Sequence, residues 1–376
     1  MHLLDLTKNA VQLYESGTAL HLVGPPGVGK SDVLKNEFRA ALSNHYGEEF
    51  GFHDVLLPTI DAPDLRGFLV PTKDKDGHPT SFYTRSAALP SREMLAKYKR
   101  GIFVIDERNA ADLLTMKAVA PVVLWGRFGD EYLPGFTPEG PKPDRSEDGW
   151  LIVSASNRQA DRSGANKAPR HLQNRERQIN ISPDVTAWSV WAEAKGVHPM
   201  LIAFAKAKPG VVFSDAVPKT EDPFCTPRSY MSAAKMLGLA AGVDEKGNPN
   251  MVIPINSLVQ EFAGGDIGEH AVAELFSFLK LADQLPTIDE ILAAPATAKC
   301  PKELSSSFAA AQMLVHFAKP DVIDKLWIYA ERLIKEVQVS TAKSLIEKGG
   351  GALLNSQALG KWIMANKALI TASSLK

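Results

Sequence analysis

The chain has 376 residues, 45% of them hydrophobic and 23% charged, with a formal net charge of -1. At this length two domains are expected rather than one core, and so even a charge balance excludes a global pull toward nucleic acid or an acidic lipid surface. The two cysteines, Cys225 and Cys300, stand outside any CxxC or Cys/His cluster, which speaks against zinc and fits a reducing compartment.

Residues 1–17 are amphipathic and lack the charged-then-apolar order of a signal segment. No uncharged apolar run reaches about 18 residues, so no membrane span is expected and the location read from the sequence is cytoplasmic. ALHLV (19–23) then reads as a buried strand, and Leu34, Phe38, Ala41 and Leu42 recur at helical spacing. Between them, Gly24-Pro25-Pro26-Gly27-Val28-Gly29-Lys30-Ser31 fills every fixed position of GxxxxGK[ST]. Glycines let the backbone curl until several N–H groups face one anion, and the helix start adds partial positive charge. Lys30 is the candidate for the β/γ-phosphates of a bound purine triphosphate, and the Ser31 hydroxyl for Mg²⁺.

A P-loop needs an acidic residue on a neighbouring strand to complete the metal shell, and a group to orient the attacking water. GIFVIDE (101–107) supplies both: Ile102 to Ile105 read as a strand buried on both faces, with Asp106 and Glu107 at its carboxyl end. Asp106 is assigned to the metal and Glu107 to the water. Two β-prone runs around Asp76-Gly77 predict a hairpin over about 69–84 before this strand. After it, residues 134–149 read as an exposed, mobile Pro/Gly loop, and WLIVSASN (150–157) as a third strand ending on Asn157. That amide suits a γ-phosphate or the lytic water, and equally a simple turn.

From about residue 183 the pattern is helical. Two helices break at Gly196 and Pro199, with Trp188, Trp191, Leu201 and Phe204 as core. Thr287 to Glu290 form a capping box. Asp321 is expected to cap a helix carrying Val322, Leu326, Leu333 and Val337 on one face, and KGGGA (348–352) to stop it. The expected architecture is an α/β P-loop αβα sandwich with a parallel sheet over 1–183, then an all-helical lid and extension over 184–376.

The order of these pieces resembles the AAA+ ATPases, and more closely the MoxR-type branch of the helix-2-insert clade. Residues 62–91 resemble the segment carrying that branch's hairpin. IDERNAADLLTMKAVAPVVLWGRFGDEYLPG (105–135) resembles its acidic strand and following segment, with Arg108 in place of an apolar residue and Asn109 kept. Residues 154–181 resemble the stretch bearing the arginine finger. The aligned arginine is Arg175, with Asn174 and Glu176 replacing an aspartate and a phenylalanine, and with Arg170 and Arg177 nearby as alternatives. TPRSYMSAAKML (226–237) is similar to a sensor-2 helix, with Arg228 as sensor. The resemblance covers roughly residues 5–240. It implies ATP and Mg²⁺ as cofactors, a ring that is usually a hexamer, and catalysis by Glu107, Asn157, Arg175 and Arg228. It further implies remodelling of a protein client and a partner with a von Willebrand factor A-type domain.

Two other functions start from the same loop. A GTPase is suggested by Asp64-Leu65-Arg66-Gly67, which matches DxxG, but Asn166-Lys167-Ala168-Pro169 lacks the aspartate of NKxD that reads guanine. A nucleic-acid motor or loader finds no support in the charge balance, and the 69–84 hairpin mixes Lys73 and Lys75 with Asp74 and Asp76.

Overall fold

The computed structural model describes residues 1–142, 144, 147–161, 174–214, 217–218 and 222–372. The chain divides into two compact units, Met1–Pro183 and Asp184–Lys376. The strands of the first unit are β1 (Leu20–Val23), β2 (Gly51–Leu56), β3 (Leu69–Lys73), β4 (Pro79–Tyr83), β5 (Arg100–Asp106), four two-residue strands β6 to β9 (Arg127–Phe128, Glu131–Tyr132, Phe136–Thr137, Gly140–Pro141), β10 (Gly149–Ser156) and β11 (Arg177–Asn180).

Five of these form one sheet in the order β11-β1-β10-β5-β2, with every pairing parallel. Side chains alternate across it. Ile102 and Val104 join Leu151, Val153, Leu20, Leu22, Leu34 and Phe38 on one face. Phe103 and Ile105 join Trp150, Ile152, Val122 and Phe128 on the other. A parallel sheet buried on both faces needs apolar residues at successive positions, and Ile102 to Ile105 and Trp150 to Val153 supply them. The result is an αβα sandwich on a parallel sheet.

One expectation of adjacency is corrected. The acidic strand β5 does not neighbour β1, because β10 pairs with both and lies between them. Both candidate strands still end on the same edge of the same sheet, and Asn157 follows the strand that separates them.

The hairpin pairs Leu69 with Tyr83 and Lys73 with Pro79, turning at Gly77 with φ 85°. It stands out from the sheet, with Leu69 and Phe82 exposed. The stretch read as a mobile loop over 134–149 is more ordered than expected where it is described. It holds the β8–β9 hairpin, and Phe136 is buried against Gly126, where a Cβ would lie 2.5 Å from the phenyl ring.

The second unit is helical, built round one apolar cluster. Leu304–Phe317 is its hub, a helix buried almost continuously from Ser307 to Val315. Val185–Ala194 and Pro199–Ala207 break where Gly196 and Pro199 predict, and Leu201 and Phe204 are fully buried. Trp188 is half-buried and packs edge-on against Phe213, and Trp191 is half-buried too. The Thr287/Glu290 capping box forms around Ile288–Ala293.

Two readings of this unit fail. Asp321 does not cap; the helix is Ile323–Ala330, its N-cap is Val322, and no side chain bonds there. The apolar face expected from Val322 to Val337 is shared between that helix and the next, Lys335–Leu354, with a turn between them. That second helix runs through the glycines expected to stop it. A Cβ on Gly349 would stand 2.2 Å from the Leu353 side chain, so the glycine makes room for a buried leucine that outweighs its poor propensity. No described helix is long and apolar enough to cross a membrane.

Candidate nucleotide site

The loop between β1 and the helix beginning at Lys30 has the conformation its glycines allow. Gly27 and Gly29 take φ of 68° and 96°, in the left-handed region closed to most side chains, and Gly29 is the N-cap. Gly24 passes so close to the end of β11 that a Cβ would meet the Ile181 carbonyl oxygen at 2.9 Å. The helical run continues to Tyr46, with a π turn at Leu34–Phe38. Its first N–H groups have no carbonyl a turn earlier. Together with the loop amides they are the donors a phosphate takes. Val28 packs half-buried on the core of this face.

Lys30 is 8% exposed. Its Nζ donates to the carbonyls of Gly24 and Pro25, each at 3.0 Å, and to Asn157 Oδ1 at 3.2 Å. The sheet order explains the last contact, since β10 beside β1 brings Asn157 next to the loop. The Ser31 hydroxyl donates to Asp106 Oδ2 at 2.5 Å. These two residues, 75 positions apart, are therefore together. A hydroxyl and a carboxylate are the hard oxygen donors that suit Mg²⁺, so the residues present fit that ion.

Glu107 is exposed and has φ 50°, ψ 35°, the one non-glycine positive φ among the described residues. Its N–H donates to Asp106 Oδ1 at 2.8 Å, and its carbonyl accepts from Ala110 at 2.9 Å. Asn109 Nδ2 donates to the Asn157 carbonyl at 2.8 Å, which ties this turn to the end of β10. A left-handed glutamate costs about 1–3 kcal/mol and persists where its surroundings over-determine it, commonly at functional sites.

The arginines are less gathered. Arg175 is exposed in the turn before β11. Arg177 begins that strand and donates to Ser16 Oγ at 3.1 Å. Arg170 lies outside the described residues. Arg228 is exposed in the first turn of Pro227–Ala241, a helix capped by Thr226 with Ser229, in the second unit.

Sequence reasoning missed a buried polar network beside this site. Arg108 and Glu176 form an ion pair with both side chains 2% exposed. Ser154 Oγ donates to Glu176 Oε1 at 3.0 Å and accepts from Arg108 at 3.3 Å. Arg108 Nη2 donates to His21 Nδ1 at 3.1 Å, and His21 Nε2 meets Ser156 Oγ at 2.6 Å. Part of the signal was available: Ser154 and Ser156, polar at alternate positions of a buried strand, share one face, and His21 is polar in another strand. Their meeting is set by the register that pairs His21 with Ser154.

Burial, helped by the Arg108 cation, pushes His21 down from 6.5 to about 3. The folded chain thus keeps this imidazole neutral where the unfolded chain would protonate it. Its stabilising effect is complete above about pH 6.5 and is lost on acidification by about 1.4 kcal/mol per pH unit. A His21→Gln chain is expected to lose stability less steeply than the wild type between about pH 6.5 and 4.5. Thermal melts across that range would read it, and parallel slopes would clear His21 as a cause.

No protein-family model matches the chain, and no curated protein matches it. Among solved structures, two crystal structures of NtrX from Brucella abortus are similar. One is 14% identical at a TM-score of 0.37, over 91% of this chain and 67% of that one. The other, in complex with ADP, is 13% identical at 0.31, over 97% and 67%. Likenesses that slight carry no weight for fold or function. The class rests on this chain's own sheet order and loop: a P-loop α/β domain followed by a helical unit.

Proposed function

We propose that the chain is an ATP-hydrolysing AAA+ ATPase of MoxR type, acting as a ring, a hexamer, that remodels a protein client or complex. One observation carries the reading. Lys30, Ser31, Asp106 and Asn157 meet at the carboxyl end of one parallel sheet, where α/β folds bind ligands.

In this reading the loop amides and Lys30 bind the phosphates of ATP, and Ser31 and Asp106 hold the metal. Mg²⁺ would be held by the Ser31 hydroxyl and the Asp106 carboxylate and would supply charge neutralisation on the phosphates. Glu107 takes a proton from the attacking water, and Asn157 orients that water or the γ-phosphate. Arg175 reaches the site of the adjoining subunit and stabilises charge there, which makes hydrolysis depend on subunit arrangement. Arg228 senses the nucleotide from the helical unit. A von Willebrand factor A-type partner follows from the resemblance alone.

Calorimetry with Mg-ATP and assay of released phosphate test the core of this. Arg175→Ala is expected to abolish hydrolysis and leave ATP affinity near that of the wild type. Continued hydrolysis would move the finger to Arg177 or Arg170. Displacement of labelled ATP by GTP at equal concentration would favour the GTPase, and strong stimulation of turnover by DNA would favour a nucleic-acid loader.

A further inference from the structure

We propose that the buried Arg108–Glu176 pair is a positioning link, joining the turn that presents Glu107 to the turn that presents Arg175. The inference rests on the function proposed above. Its basis is an adjacency on both sides. Arg108 directly follows Glu107, and Glu176 directly follows Arg175. The outer member of each couple is exposed; the inner member is buried and bonded to its counterpart 68 residues away.

Stability alone is a poor reason for such a pair. Desolvating two charges is expensive, and a well-packed apolar pair in the same volume is often as stable or more so. What an ion pair adds is direction. Both carboxylate oxygens of Glu176 accept from Arg108 Nη1, while Nη2 is engaged by His21. Ser154 bridges the partners from β10, and Ser156 holds the far side of the imidazole. The guanidinium is thus held in one orientation from β1, β10 and the segment leading into β11.

That orientation matters because of what precedes it. The Glu107 backbone is in the left-handed region and needs fixing from its neighbours. Arg108 anchors the turn toward β11, and Asn109 anchors it to Asn157 at the end of β10. A shift of the Glu107 turn is carried by the pair to residues 174–176, and the reverse. In a ring, Glu107 serves the subunit's own nucleotide while Arg175 serves the adjoining one. The link therefore sets the two catalytic groups of one subunit as a unit.

The experiment compares the full-length wild type with Arg108→Lys and with the double substitution Arg108→Met and Glu176→Leu. The readouts are kcat, KM for Mg-ATP and Tm. Arg108→Lys keeps charge and approximate volume but loses the planar fork. The double substitution replaces the charges by an apolar pair. Both are expected to keep KM and Tm close to wild type and to lower kcat by about 10- to 100-fold, the scale of a misplaced catalytic group. Recovery of wild-type kcat in the double variant would reduce the pair to a structural one and overturn the link. If that variant does not fold, Arg108→Lys decides alone, and wild-type turnover in it overturns the link. A wild type that neither binds nor hydrolyses Mg-ATP would instead overturn the proposed function.

Discussion

A Glu107→Gln chain is expected to hydrolyse ATP about 10²- to 10⁴-fold more slowly than the wild type, while binding Mg-ATP with nearly unchanged affinity. The amide matches the carboxylate in size but does not take a proton from water. The side chain is exposed, and the bonds shaping its turn come from the backbone: its N–H on Asp106 and its carbonyl to Ala110. Neither depends on the carboxylate, so the turn and the fold survive the change. Asp106 and Ser31 keep their contact, and the proposed metal site with it. Phosphate release beside calorimetric titration separates the two effects. Hydrolysis at the wild-type rate would remove Glu107 from the chemistry and leave its strained backbone without an account.

Lys30→Ala acts earlier, on binding. The ammonium faces two loop carbonyls and the Asn157 amide oxygen, so a phosphate has to take over bonds already made. Hydrogen bonds to a charged group contribute about 1.5–3 kcal/mol each. Losing one or two of them to the β/γ-phosphates weakens ATP binding by at least about tenfold and by up to about four decades. Removing the side chain also leaves the Gly24 and Pro25 carbonyls short of a donor, so Tm should fall slightly. Lys30→Met, which keeps the apolar stem, distinguishes the two losses. Having no donor for those carbonyls, it should recover only the packing part of the melting temperature and none of the affinity. Calorimetry showing wild-type affinity in either variant would sink the assignment of the loop as the triphosphate site.

Features that depend on near neighbours in the chain were legible without coordinates. The loop at 24–31 reads directly because each residue's role is set within a few positions. Glycines tolerate positive φ, and Lys30 and Ser31 start the helix. Ile102 to Ile105 announce a doubly buried strand, Gly77 a hairpin, and Thr287 with Glu290 a cap, all for local reasons. The same logic misled at 348–352, where the local cost of glycine lost to the tertiary gain of burying Leu353. It misled at Asp321 too, where the helix starts after Val322 without a side-chain cap.

Residue order alone settled the P-loop, the acidic strand end, the hairpin and the helical character of the second half. Each follows from backbone preferences and from periodicity over a turn or two. Only the tertiary structure decided that β10 stands between β1 and β5, which puts Asn157 beside Lys30. Only it decided that Arg108 reaches Glu176 across 68 residues. Strand pairing and buried charge pairing are chosen by the free energy of the whole sheet and its desolvation, and no short stretch of sequence carries that sum.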